Sequence, residues 1–87
     1  MNIIYSKKNY NIYIVDRQCF IIHNTKKKFE DGHTHIKNYN TAKYLINLCI
    51  HRSIPEKHLS DYLLESIVRL SSDTEYINQI KQKMRRV

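Results

Sequence analysis

The hydrophobic periods along this 87-residue chain predict an α+β domain: an N-terminal antiparallel β-hairpin or meander of two or three strands, packed on three C-terminal α-helices. Three observations predict it. Residues 2–23 are rich in β-branched and aromatic side chains broken by turn-like polar residues. From Asn40 onward apolar residues recur at steps of three and four, which is the period of one helix face. Between these halves lies a polar, basic stretch, 24–38, that reads as a loop. No repeat, low-complexity tract or linker divides the chain, so residues 1–87 read as one small domain: a β part at 2–23, the basic loop, and a helical part at 40–86.

The elements follow in order. Ile3-Ile4-Tyr5 is a short apolar run, and Ser6-Lys7-Lys8-Asn9 is turn-like. Tyr10 to Val15 and Cys19 to His23 read as further strands, with Asp16-Arg17-Gln18 as a tight turn between them. Asn24-Thr25 closes the β part. Phe29 and Ile36 are the only large apolar residues of the loop and are expected to pin it down.

Asn40 or Thr41 is expected to cap the first helix, whose apolar face is Ala42, Leu45, Ile46, Cys49 and Ile50. Pro55 ends that helix or begins the next, and Ser53-Ile54-Pro55-Glu56 has capping-box spacing. Ser60 is the stronger start, with Leu59 and Leu64 at staple positions. Ser72-Asp73-Thr74-Glu75 is a further capping box. The last helix ends in Lys81, Lys83, Arg85 and Arg86, where a helix dipole favours positive charge. The expected core is Ile12, Ile14, Phe20 and Ile22 from the strands. The helices are expected to add Leu45, Ile46, Cys49, Leu63, Leu64, Ile67, Val68, Ile77 and Ile80.

Composition narrows the function. Fifteen Lys and Arg against eight Asp and Glu give a net charge of +7, which suits nucleic acid or an acidic protein surface as partner. The first 43 residues carry +5 and the rest +2, so the excess belongs to the strand-rich half. A chain this small buries only about 60% of its unfolded surface, and a homodimer would add burial.

The single glycine excludes a P-loop, a dinucleotide fingerprint and a nucleophile elbow. No cofactor is expected. Cys19 and Cys49 each sit in an apolar run without CxxC spacing and read as buried thiols. Met1 to Tyr5 lacks a basic stretch followed by a long apolar run, so no secretory leader is expected, and the longest apolar runs fall far short of the ~20 residues of a membrane span. A cytoplasmic protein without a membrane partner is expected. Richness in Ile, Asn, Lys and Tyr points to an AT-rich bacterium, or to a phage or plasmid living in one.

Gly32-His33-Thr34-His35 is the stretch most suggestive of chemistry. Two histidines one residue apart can turn both rings to one ion, and His23 could join them, so His23, His33 and His35 are the metal candidates. The tetrapeptide resembles the metal-binding Gly-His-Thr-His motif of calcineurin-like metallophosphoesterases, which implies histidine ligands. The resemblance covers four residues. That family also needs a separate upstream D-x-H, an Asn-His pair and a larger α/β sandwich. Here Asp31-Gly32-His33 overlaps the tetrapeptide, His23-Asn24 runs in reverse order, and the chain is too short for the scaffold. We read the match as coincidental.

The leading expectation is non-enzymatic nucleic-acid binding through Lys7, Lys8, Arg17, Lys26, Lys27, Lys28, His33, His35 and Lys37, with Tyr and Phe rings interleaved among them. A small regulatory protein that binds a protein partner, for example a nuclease inhibitor, is the alternative. A histidine- or metal-dependent nuclease is third, with the lysines holding phosphate. Residues 41–70 do not read as a helix-turn-helix, because the connection is long and contains Pro55.

Overall fold

A computed structural model describes residues 2–84. Strands β1 (Asn2–Lys7), β2 (Tyr10–Asp16), β3 (Cys19–Asn24) and β4 (His33–Ile36) are followed by helices α1 (Tyr39–His51), α2 (Asp61–Leu70) and α3 (Thr74–Met84). The strands form one antiparallel sheet in the order β1-β2-β3-β4. The predicted α+β order is therefore the observed one. Arg85 and Arg86, expected to close the last helix, lie outside the described residues.

The sheet has an inner face against the helices and an outer face without them. Ile12, Phe20, Ile22 and Ile36 point inward and meet Leu45 and Ile46 of α1, Leu64 and Ile67 of α2, and Ile80 of α3 in one core. Strand alternation sends the intervening residues outward. Of the expected core, Ile14, Leu63 and Val68 are only partly buried against the cluster, and Ile77 is half-buried outside it. Ile14 lies where the β2–β3 register shifts, so it loses full cover. Tyr10, Ile36, Ala42, Leu48, Leu70 and Tyr76 take up the remaining core space.

The largest departure from the expected fold is β4. His33–Ile36 is a strand and not part of a loop, in register with Phe20 to His23. Thr34 and Ile36 are buried while His33 and His35 face outward, a clean alternation. A four-residue strand with one large apolar side chain offers too little pattern to stand out from a loop. Its inner face is tied to α2 by a buried Thr34–Ser66 hydroxyl pair, 2.7 Å apart.

Gly32 has no positive φ, so it does not serve a left-handed turn. A Cβ there would lie 2.6 Å from Lys27 Cβ; glycine lets the loop fold back on itself. The β1–β2 turn instead places Lys8 in the left-handed region, at φ 55°.

Three capping expectations change. Asn38 caps α1, its side chain accepting from the Thr41 N–H at 2.9 Å, so neither Asn40 nor Thr41 does. An earlier asparagine wins because it leaves both residues free to enter the helix. No helix starts at Ser53-Ile54-Pro55-Glu56, since no apolar stripe follows that spacing. That segment is held from α3 instead, with the Tyr76 hydroxyl donating to the Ser53 carbonyl at 2.8 Å. Asp73, not Ser72, caps α3, accepting from the Tyr76 N–H at 3.0 Å. Ser60 caps α2 as expected.

Asn24 is the polar hub of the core. It is fully buried at the end of β3. Its amide donates to the Leu70 carbonyl at 2.7 Å and to the Ser72 hydroxyl at 2.9 Å. Its side-chain oxygen accepts from Asn9 and from the Lys26 N–H. One side chain thus joins two sheet turns to the α2–α3 connection.

Candidate nucleic-acid interface

The outer face is built by alternation. Tyr13 comes from β2, Cys19, Ile21 and His23 from β3, and His33 and His35 from β4. Ile21 is buried there outside the helix-side core, flanked in register by Tyr13 and His35. Phe29, from the β3–β4 loop, folds over this surface and stacks on His33 at 4.4 Å with the planes 9° apart. His23 lies 5.3 Å from Phe29, and His35 meets His33 edge-on at 5.3 Å. The result is a continuous row of rings, His23–Phe29–His33–His35.

Backbone carbonyls orient these rings. His33 Nδ1 lies 2.6 Å from the Phe29 carbonyl oxygen, and His23 Nε2 lies 3.0 Å from that of Lys27. Each ring donates at that nitrogen. His23 Nδ1 is left buried without a partner. An unmade bond of this kind costs about 1–3 kcal/mol. His35 is fixed from its backbone, because the Tyr62 hydroxyl donates to its carbonyl.

His23, His33 and His35 do share a face, but they do not form a metal cage. Among the described residues no three His, Cys, Asp or Glu side chains converge to hold an ion. His51 lies at the end of α1 and His58 in the α1–α2 connection.

The basic residues are divided by the fold. Lys8, Lys26, Lys27 and Lys28 lie at the sheet end where the Thr25 N–H donates to the Asn9 carbonyl. Arg17 and Lys37 lie at the opposite end, since Phe20 pairs with Ile36 there. Lys7 is drawn to the helix side, donating to Asn47 of α1 at 2.8 Å. Lys27 donates to the Arg69 carbonyl at 3.0 Å and serves the loop. Lys28 is exposed and adjacent to Phe29 in sequence.

Two cations escaped the sequence reading as site residues. Arg69 reaches from α2 to the sheet edge, its Nε donating to the His33 carbonyl at 3.2 Å. Arg52 pairs with Asp73 at 3.2 Å and shares a cavity of about 280 Å³ with Lys8 and Lys26. Nothing in the spacing of either residue announces this, because each is brought in by tertiary packing.

The thiols also separate. Cys49 is buried in α1, and desolvation pushes its thiol up to about 12. Cys19 is half-buried on the outer face, not fully buried as expected, and both cysteines are free. Among the described residues no helix is long and apolar enough to cross a membrane.

No protein-family profile, curated protein or solved structure matches this chain. What its coordinates define is a class by architecture: a four-stranded meander with helices on one face and a ring-lined, cation-flanked face left open.

Proposed function

We propose that this protein binds single-stranded nucleic acid on the outer face of its sheet. The observation that carries the reading is the ring row His23–Phe29–His33–His35, which lies away from the helical core. Phe29 keeps 38% of its surface exposed although it is the most apolar ring of the row. Every base offers a π-face, so such rings accept bases irrespective of sequence. Lys28, next to Phe29 in sequence, and Arg69 flank the row and supply phosphate contacts. Single strands suit this face better than duplex, whose bases are already stacked.

Fluorescence anisotropy with a labelled oligonucleotide tests the reading. Two phosphate contacts predict that affinity for a single strand falls roughly 7-fold between about 50 and 200 mM salt. Salt-independent binding, or none at low salt, would refute it. The reading places the protein in the cytoplasm, with nucleic acid rather than an acidic protein as partner.

One observation favours a second reading, phosphodiester cleavage. His33 and His35 open on a cleft of about 200 Å³ shared with Tyr62, Glu65 and Arg69. A histidine pair beside an arginine can move protons and hold a phosphate. Cleavage of a single-stranded RNA by the purified protein, abolished by H33A/H35A, would support it; cleavage unchanged by that double substitution would dismiss it.

A further inference from the structure

The geometry points to Cys19 and His35 as a thiol–imidazole pair that exchanges with small anionic disulfides, making Cys19 a site of reversible mixed-disulfide formation. His35 also belongs to the ring row, but the exchange requires no bound nucleic acid and is assayed without it. Cys19 Sγ lies 3.8 Å from His35 Nδ1, across the β3–β4 ladder. Both line a cavity of about 690 Å³ between the β2–β3 turn and the starts of α1 and α2. Ile36, Tyr62 and Leu63 give that cavity apolar walls, so a thiol there is sheltered yet reachable.

Charge selects the co-reactant. Lys37 lies on the cavity wall, which carries no carboxylate among the described residues, while Arg17 and Asp16, the register partner of Cys19, offset each other in the adjoining turn. With a net charge of +7, the protein attracts an anionic disulfide of the glutathione class over a cationic one.

The step balances. Cys19 sulfur attacks one sulfur of R–S–S–R while His35 Nδ1 takes the thiol proton. The Cys19–S–S–R bond forms and the original S–S bond breaks. The departing thiolate recovers the proton from His35 and leaves as R–SH. Cys19 is oxidised to the mixed disulfide, and the other half of the small disulfide is reduced. The fold supports this division of labour: the bond from Tyr62 to the His35 carbonyl fixes the strand, leaving the imidazole to serve the sulfur.

Cys49 provides an internal reference, because it is 5% exposed on the wall of the cavity shared by Lys8, Lys26 and Arg52, where no histidine stands beside it among the described residues. The full chain is incubated with oxidised glutathione, and each cysteine's labelling rate is read by peptide mass spectrometry. Cys19 is expected to form the mixed disulfide well ahead of Cys49. General-base assistance is worth about 10²–10⁴-fold where fully expressed, so H35Q and H35A should each lower the Cys19-to-Cys49 ratio at least tenfold. Destabilisation alone would lower the ratio by raising Cys49 labelling, so the expected fall must come from a slower Cys19 rate at an unchanged Cys49 rate; a fall produced only by faster Cys49 labelling overturns the pair. An unchanged ratio in H35Q, or a ratio raised in H35A, overturns the pair, the latter by showing that His35 only shields the thiol. Cystamine, a cationic disulfide, should react more slowly than oxidised glutathione; equal rates would overturn the selection for an anionic partner.

Discussion

The same three strands, β2, β3 and β4, present two faces that obey different rules. Inward residues such as Ile12, Ile22 and Ile36 are almost fully buried and have one task, to fill the space under the helices. The outer face carries rings that the fold does not need to bury: Phe29 is exposed on the loop that folds over it, and His35 is exposed on β4. The difference teaches where selection for stability ends. An isoleucine facing the helices is accounted for by burial alone. A stacked Phe29–His33 pair facing outward is not, because covering it with water on one side forfeits much of its hydrophobic gain.

The largest expected effect breaks the inner face. Ile22→Ala removes a fully buried side chain from the middle of the sheet and should cost about 2–5 kcal/mol, read as a lowered denaturant midpoint. In a domain this small, that loss unfolds a large share of the population. Asn24→Ala follows. It leaves the Leu70 carbonyl and the Ser72 hydroxyl without their donor and should cost about 2–3 kcal/mol in the same measurement.

The outer face should answer in the opposite sense. Phe29→Ala is expected to change stability by less than about 1 kcal/mol while weakening oligonucleotide binding by about 1–3 kcal/mol, the worth of one stacked base. Paired melting and anisotropy measurements check both halves. A large loss of stability with unchanged affinity would erase the distinction between the faces.

The smallest effect lies outside both faces, at the α3 cap. Asp73 has its carboxyl held below the ordinary range, first by the Tyr76 N–H bond and also by Arg52. A lowered folded value means that the carboxylate stabilises the fold above its unfolded pKa of about 3.9, and that this is lost as pH falls through the folded value. Asp73→Asn should therefore melt slightly below wild type at neutral pH, with the two curves converging under acid conditions.

Much of the architecture is written locally. Ser60 caps α2 because a hydroxyl before a helical apolar stripe has one good use, and Ile12 and Ile22 sit inside because strand alternation leaves no other place. The failures share a cause as well. β4 is defined by pairing with β3, and its own four residues carry little strand character. Asn38 and Asp73 cap helices where equally plausible neighbours exist, and the choice depends on how the incoming chain approaches.

The candidate site was half legible. The His33–His35 spacing was visible, and alternation does place both rings on one face. That Phe29 would stack on His33, that Arg69 would reach its carbonyl from 36 residues away, and that Lys7 would turn to the helix side are products of tertiary packing. The nine basic and histidine positions taken together from the sequence thus resolve into a ring row, two charged ends and two lysines with structural tasks.

An NMR titration with a short single-stranded oligonucleotide tests the central claim most directly. The open-face account predicts that the largest shift changes fall on His23, Phe29, His33, His35 and Arg69, with Ile12, Ile22 and Ile67 following only weakly. Shifts confined to the helices, or no shifts at low salt, would contradict it.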